Sequence, residues 1–398
     1  MDKNFLDLEK QYFDLLLRFC LKIDKSLFVS CDRVCEDALG RFLDYAKEIG
    51  VKNIHVFWQD AKKEAEILKN ISFDEIKNNE FFDYSEWNQY AKDGAAFLIF
   101  KTDIPEVFNG IEEKKMVEAS KIKRITQSEY KVRQLSYEIS WTIAILPNEK
   151  WAKTLYDGDD ATAQFYNSIF EMCMISHEGN AMAKWQNQLK NNSALASRLN
   201  SLQISELNYK APNGTNLSVK IAPSAVWLGA DKGGFVVNMP TYEVFTFPDA
   251  FGINGVVKST RPLHYNGTII DDFELHFKDG KVVKHDAKKG KDALGYLLSI
   301  DKGSRSLGEV AIVDCRSPVA LQNKVFGITL FDENASCHFA LGNAYPGTCK
   351  EYSANNTPMG FNVSAVHVDF MVGYDQLTIT AKTNGGDVTI MDKGRIIL

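Results

Sequence analysis

The sequence predicts an α/β protein in two parts. An N-terminal open α/β domain with a mostly parallel sheet is expected over residues 1–200, and a C-terminal α+β catalytic domain rich in strands and hairpins over 201–398. Three observations predict this. In the first half, continuous apolar runs at 95–101 (AAFLIFK) and 140–146 (SWTIAIL) alternate with helical periodicity, as parallel strands covered on both faces do. Past residue 200 the texture changes to short strands with hairpin signals at Asn213-Gly214, Asn266-Gly267, Asp279-Gly280 and Asn384-Gly385-Gly386. Finally, 398 residues with 45% hydrophobic content suffice for two or three packed cores.

Taken in order, residues 5–20 read as an amphipathic helix and 26–30 as a strand. A helix over 35–48 stops at Gly50, and strands follow at 53–58 and 95–101. One long charged helix is expected over 111–135 and a strand over 140–146, then helix over 161–202 with a break near 177–180. The switch to strand-and-turn periodicity places a domain boundary near 195–205. In the second half a single helix, 292–299, precedes a strand around Glu309.

A net charge of −6 argues against a nucleic-acid or anionic-membrane partner. The N-terminal stretch carries acidic residues where a secretory signal is basic, and its apolar run is too short for a bilayer. Seven cysteines without a CxxC pair suit a reducing compartment, so a cytoplasmic location is expected. Neither GxGxxG after a strand nor GxxxxGK[ST] occurs, which speaks against nucleotide binding. His55, His177, His264, His276 and His285 lie apart from other ligand types and read as structural or surface residues.

Chemistry concentrates in 331–342 (FDENASCHFALG) and 362–373 (NVSAVHVDFMVG). The run 365–371 is β-branched and apolar, so a strand there turns His367 and Asp369 to one face and Val366, Val368 and Phe370 to the other. In the first stretch Asp332 or Asn334 is expected to cap a helix beginning near Ala335, with His338 in its first turn and Glu333 just outside. Tyr345 would share that face if the helix persists past Gly342. Glu243 in PTYEVFT and Glu309 in LGEVAIV complete six candidate metal ligands: Glu243, Glu309, Glu333, His338, His367 and Asp369. Each alone fits a bland role, as a cap, a strand-edge charge or a bonded core histidine. Together, set in the most apolar stretches of the domain, they point to metal, because buried carboxylates are paired or metal-bound. Four carboxylates with two imidazoles are too anionic for one structural zinc and balance two divalent cations. A shared carboxylate, with Glu309 the choice, can hold such ions roughly 3.5 to 4 Å apart and lower the pKa of a water between them. Cys337 beside His338 raises a nucleophilic cysteine, but adjacent residues diverge on a helix or strand.

The stretches 238–246 (NMPTYEVFT), 307–311 (LGEVA), 331–338 (FDENASCH) and 367–371 (HVDFM) resemble, in order and spacing, the successive motifs of the thermophilic metalloprotease family, the aminopeptidase T and aminopeptidase S group. The resemblance covers the whole second domain. It implies a cytosolic, usually dimeric metalloaminopeptidase with two divalent ions (zinc, cobalt or magnesium), a catalytic domain enclosing an inner cavity, and peptide substrates. It also implies that the family's metal ligands correspond to the six residues above and its active-site tyrosine to Tyr345. One departure is Tyr242, where the family commonly carries a second Glu beside Glu243. The competing readings are another dinuclear hydrolase, an amidase or phosphoesterase, and a non-catalytic binding protein that would leave the carboxylates unexplained. Against a phosphoesterase, no Arg or Lys cluster accompanies the ligands; Lys258 and Arg261 are the nearest in sequence.

Overall fold

A computed structural model describes residues 3–78, 81–265, 267–353 and 355–398. Its contacts divide the chain into two compact units, Met1–Gln186 with Asp231–Pro240, and Asn187–Ala230 with Thr241–Leu398. The helix Ala181–Ser201 runs through the boundary expected near 195–205. Among the described residues no helix is long and apolar enough to cross a membrane.

In the first unit β1 (Leu27–Asp32), β2 (Ile54–Gln59), β3 (Ala96–Lys101) and β4 (Trp141–Ile145) pair in parallel in the order β2-β1-β3-β4. The apolar runs become buried strands, β1 along its whole length, because helices separate and cover them. Two sequence expectations change here. The helix over 111–135 is broken into Glu113–Thr126 and Ser128–Leu135, where the Thr126 hydroxyl turns back onto the carbonyls of Ile122 and Lys123, a bond that bends helices. The stretch between β2 and β3, unassigned from sequence, holds helices Ala61–Asn70, Phe73–Lys77 and Ser85–Lys92; the second starts on a Ser72/Glu75 capping box.

The second unit adds β5 (Glu206–Lys210), β6 (Asn216–Ile221), β7 (Val244–Thr246), β8 (Pro248–Lys258), β9 (Leu263–Tyr265), β10 (Thr268–Lys278), β11 (Lys281–Lys289), β12 (Leu307–Ile312), β13 (His338–Gly342), β14 (His367–Met371), β15 (Thr378–Thr383), β16 (Gly386–Asp392) and β17 (Arg395–Ile396). A large antiparallel sheet runs β11-β10-β8-β6-β5-β15-β16-β17, with β9 on β10. The hairpin signals sit at its turns: Asn213-Gly214 joins β5 to β6, and Asn384-Gly385 joins β15 to β16. Asp279 and Gly280, both at positive φ, close the β10–β11 hairpin. Asn266 lies outside the described residues.

A smaller antiparallel sheet, β14-β13-β12-β7, carries the chemistry on one face and core on the other. Val310, Phe339 and Phe370 point into the core shared with the large sheet, where Phe339 meets Tyr209 with ring centroids 4.8 Å apart and Phe370 meets Phe273 at 5.6 Å. The period of two therefore turns Glu309, His338, His367 and Asp369 the other way. Here the expectation for 335–345 is corrected. No helix starts near Ala335; a short helix Thr329–Asp332 and a 3₁₀ turn Glu333–Ala335 end at Ser336, whose backbone is extended, and His338 opens β13. The alternating, fully buried HFALG run prefers a strand paired on both edges. Asp332 is no cap for this segment: its two carboxylate oxygens accept the amides of Phe326 and Gly327, each at 2.9 Å. Tyr345 lies beyond β13, before the turn Pro346–Thr348.

The small sheet is held by close main-chain approach. Asn362 donates to the carbonyls of Gly303 and Gly342, at 2.9 and 2.5 Å, tying β13's end to the loop before β12. At Gly308, beside Glu309, an added Cβ would lie 2.3 Å from the Gly342 carbonyl oxygen and 2.4 Å from that of Asn343. Gly308→Ala should therefore destabilise the protein by about 1–3 kcal/mol, the usual cost of overpacking a tight core. Thermal unfolding checks this, and an unchanged or raised Tm contradicts the packing account.

Candidate metal centre

The register of the small sheet assembles the site row by row. Glu309 on β12 stands across from Ala340 on β13, which stands across from Asp369 on β14, so a small side chain separates two carboxylates. One row along, His338 pairs with Ala311, and Ala311 with Phe245 on β7. Gly342 pairs with His367. Glu243 arrives just before β7, and its main-chain carbonyl accepts from the Asn192 amide at 3.5 Å. Glu333 comes from the 3₁₀ turn before β13; that turn is pinned by Asn334, whose side chain accepts the Tyr242 amide at 2.6 Å and donates to the Leu330 carbonyl at 2.9 Å.

All six predicted ligands are brought together. Their donor atoms form three overlapping groups, Glu243/Glu309/His338, Glu309/His367/Asp369 and Glu333/His338/Asp369, each with its atoms within 4.8 Å of one another. Five of the six are buried and His367 is partly so. His338 Nε2 lies 3.1 Å from Glu243 Oε2 and 3.5 Å from Glu309 Oε1; His367 Nε2 lies 3.9 Å from Glu309 Oε2 and 3.3 Å from Asp369 Oδ1. Glu309 thus turns one oxygen to each imidazole.

Both imidazoles are oriented by main chain. His338 Nδ1 lies 3.0 Å from the Ser336 carbonyl oxygen and His367 Nδ1 2.7 Å from that of Asn343. A carbonyl only accepts, so Nδ1 carries a proton and Nε2 is the atom left to face the cluster, as a metal-ligating histidine requires. With both Nδ1 atoms protonated, Glu243 Oε2, His338 Nε2 and Asp369 Oδ1 are buried acceptors that meet other acceptors, His338 Nε2 lying 3.1 Å from Glu243 Oε2 and His367 Nε2 3.3 Å from Asp369 Oδ1. Such orphaned acceptors are expensive unless a cation meets them, so the residues fit divalent metal of the hard-to-borderline kind that carboxylate and imidazole favour.

The electrostatics agree. Burial, then the Glu243 and Asp369 charges, push the Glu333 carboxyl well above its usual range; burial also pushes Glu309 up. Burial opposes a charged imidazole, but Glu243 and Glu309 overcome it and raise His338 well above its ordinary value. Asp369 and Glu309 likewise raise His367, to about 10. Asp369 is held low: burial would raise it, but the adjacent His367 and then His338 outweigh that. Without a cation, protons and imidazolium charges fill the same electrostatic role.

Other candidates fall away from the cluster or stay near it without joining. Cys337, the residue before His338, faces the opposite side: Sγ donates to the Val313 carbonyl at 3.3 Å and lies 3.7 Å from Met391 Sδ, and burial pushes its thiol up to about 11. The Tyr345 ring packs edge-on against Phe245, two residues after Glu243, with centroids 6.1 Å apart. Lys258 is paired with Glu274 at 3.1 Å, and Arg261 donates to the Lys324 carbonyl at 2.6 Å, so both cations are engaged elsewhere. Sequence reasoning missed Ala340 and Asn362, and gave Asn334 the role of a helix cap where it instead pins the turn before β13. A small residue or an amide in an apolar run carries no signal of its own.

The model of the thermophilic metalloprotease family (M29) matches residues 7–396. Aminopeptidase AmpS of Bacillus subtilis (strain 168) is 34% identical over 394 residues, covering 94% of each chain. Aminopeptidase 2 of Geobacillus stearothermophilus is 33% identical over 395 residues with the same coverage. The solved structure of wild-type AmpT from Thermus thermophilus superposes with a TM-score of 0.88 at 27% identity, covering 100% of this chain and 99% of that one.

Glu333→Gln should separate the two roles of the cluster. In chelator-treated protein the substitution should raise Tm, because it removes one of several mutually repelling buried carboxylates. That gain should widen as pH rises: a carboxyl whose folded pKa exceeds its unfolded one contributes stability at low pH that is lost as pH climbs through the folded value. Added divalent cation should stabilise the unsubstituted protein by about 2.7 kcal/mol at a hundredfold excess over Kd, and the variant by less at the same concentration. Thermal unfolding with and without metal measures all three; a larger metal shift in the variant contradicts the assignment.

Proposed function

We propose, from the premise that this chain belongs to the thermophilic metalloprotease family (M29), that it is a metal-dependent aminopeptidase releasing N-terminal residues from peptides. In this reading Glu243, Glu309, Glu333, His338, His367 and Asp369 hold two divalent cations, zinc, cobalt or magnesium, within a catalytic domain spanning 201–398. The observation that carries it is the convergence of six ligand side chains from five segments into three overlapping donor groups. The names of the relatives, all aminopeptidases, support the substrate class. The engagement of Lys258 and Arg261 elsewhere favours a peptide over a phosphate ester.

A bound divalent cation supplies Lewis acidity, lowering the pKa of water and polarising a carbonyl. The chain's own groups do the rest. Glu309, with an oxygen toward each imidazole, would be the carboxylate that the two cations share, and the carbonyls of Ser336 and Asn343 keep both Nε2 atoms aimed inward. Tyr345 donates a hydrogen bond to the oxyanion that develops at the scissile carbonyl. The substrate's free amine is recognised by the anionic cluster, where burial makes the contact depend strongly on that group. We assign the enzyme to the cytoplasm as a homodimer acting on peptides, without nucleic-acid or membrane partners.

Unblocked short peptides should lose residues one at a time from the N-terminus, and N-acetylated versions should be cut slowly or not at all. A mass-spectrometric time course on matched peptides tests this; equal rates, or internal cuts in the blocked peptide, refute the aminopeptidase reading. A strong chelator should abolish turnover and a divalent cation restore it, and full activity in verified metal-free protein would refute the metal role.

Because Cys337 faces the core, Cys337→Ala should keep most activity once metal is supplied, with a stability loss of about 1 kcal/mol from the vacated volume. Loss of turnover with metal fully bound would mean that the thiol takes part in the reaction.

A further inference from the structure

The first unit holds a second constellation that the metal chemistry does not use. On one face of the parallel sheet, the end of β2 (Phe57 to Gln59) and the end of β3 (Ile99 and Lys101) open into a cavity of about 450 Å³. Helices Ala61–Asn70, Ser85–Lys92, Glu113–Thr126 and Ser128–Leu135 supply its other walls. This is the carboxyl end of the strands, where open α/β sheets receive ligands, and the volume lies in the range of small-molecule sites.

Its lining is unbalanced in two ways. Trp87 and Tyr130 are buried against one another, with ring centroids 4.8 Å apart, yet the indole N–H and the phenol hydroxyl have no hydrogen-bond partner among the described residues. Native structures rarely leave such donors unmet. The cations are also in excess. Lys123 is bound to Glu64, and the carboxylates of Asp60 and Asp83 accept the main-chain amides of Lys63 and Ser85, at 2.9 and 2.8 Å. Among the described residues Lys101 and Lys131 make no ion pair within 4 Å, although the Glu64 charge acts on Lys101; the Lys131 ammonium donates to Gln134 Oε1 at 2.8 Å and sits over the Tyr130 ring. Burial, then the charges of Lys101 and Arg124, push Lys131 down to about 7. Phe57 and Tyr84, with centroids 5.5 Å apart, and Phe82 give the cavity partly exposed ring surfaces.

We propose that this cavity binds a small oxyanion carried on a planar aromatic ring, the anion received by Lys101 and Lys131 and the ring by Phe57, Phe82 and Tyr84. A carboxylate and a phosphate ester share this chemistry. With no Gly-rich loop to cradle the anion, lysine side chains do the recognising, so binding is sensitive to salt and to each lysine.

The test is calorimetric titration of the full-length protein at low salt with adenosine 5′-monophosphate, indole-3-acetate, inorganic phosphate and neutral adenosine. At least one of the two ring-bearing anions should bind with a Kd below about 1 mM. It should bind on the order of tenfold or more tighter than either phosphate or adenosine, and Lys131→Met and Lys101→Met should each weaken it by about 10- to 100-fold. Binding of the nucleotide alone identifies a phosphate ester as the source, and of the indole acid alone a carboxylate. The proposal is overturned if neither ring-bearing anion binds, if adenosine or phosphate binds as tightly, or if neither substitution changes the affinity. Should Lys131→Met fail to fold, Lys101→Met decides, because Lys101 is the last residue of β3 and the one exposed position in that strand.

Discussion

The second unit is built around one constraint: four carboxylates and two imidazoles must be kept close together and away from water. Charges so placed repel, lose hydration and draw protons, which is why Glu309 and Glu333 are pushed up and His338 and His367 become easier to charge. A loop could not hold such a cluster, since each group would relax toward solvent. A sheet can, provided its other face is bound firmly enough to resist. The aromatic contacts of Phe339 and Phe370 with Tyr209 and Phe273 supply that anchorage, and the alternation of strand side chains delivers anchorage and ligands from the same few residues.

Much of this was legible in the sequence because period-two patterning is a local property. Residues 365–371 alternate, and β14 presents His367 and Asp369 together as expected. The parallel strands of the first unit were legible as apolar runs, and the hairpins as Asn-Gly and Asp-Gly pairs. The stretch 331–345 misled for a physical reason. FDENASCH carries genuine cap-type residues, yet Asp332 and Asn334 serve other masters: Asp332 receives two amides of the 326–327 loop, and Asn334 reaches 92 positions back to the Tyr242 amide. Side-chain bonds of that range are invisible to any local pattern. His338 therefore belongs to a strand, and it still reaches the other five side chains because its apolar surroundings are buried in either conformation. Thr126 illustrates the reverse, a single hydroxyl that ends a helix whose charge pattern runs on.

The cluster also explains why the small sheet tolerates so little at its edges. Ala340 lies between Glu309 and Asp369, and Gly308 and Gly342 sit where neighbouring main chain leaves no room for a methyl group. Each is unremarkable in sequence. Their common effect is to bring backbones close enough that side chains from three strands reach one small volume, and a larger residue at any of them would widen that spacing.

The two carbonyls that hold the imidazoles belong to Ser336 and Asn343, but the groups doing the holding are main-chain atoms. The direction in which each lone pair points is therefore a property of backbone shape and not of the side chains at those positions. The Ser336 hydroxyl is free for a separate task, bridging to the Gly373 carbonyl at 2.8 Å, and the Asn343 amide for another, reaching the Ala344 carbonyl at 2.7 Å. Aim and identity are thus linked only through the backbone: the Ser336 hydroxyl also accepts the Gly373 amide at 2.9 Å and Asn343 Oδ1 the Ser364 amide at 3.2 Å, so these side chains steady the main chain whose carbonyls set the rings.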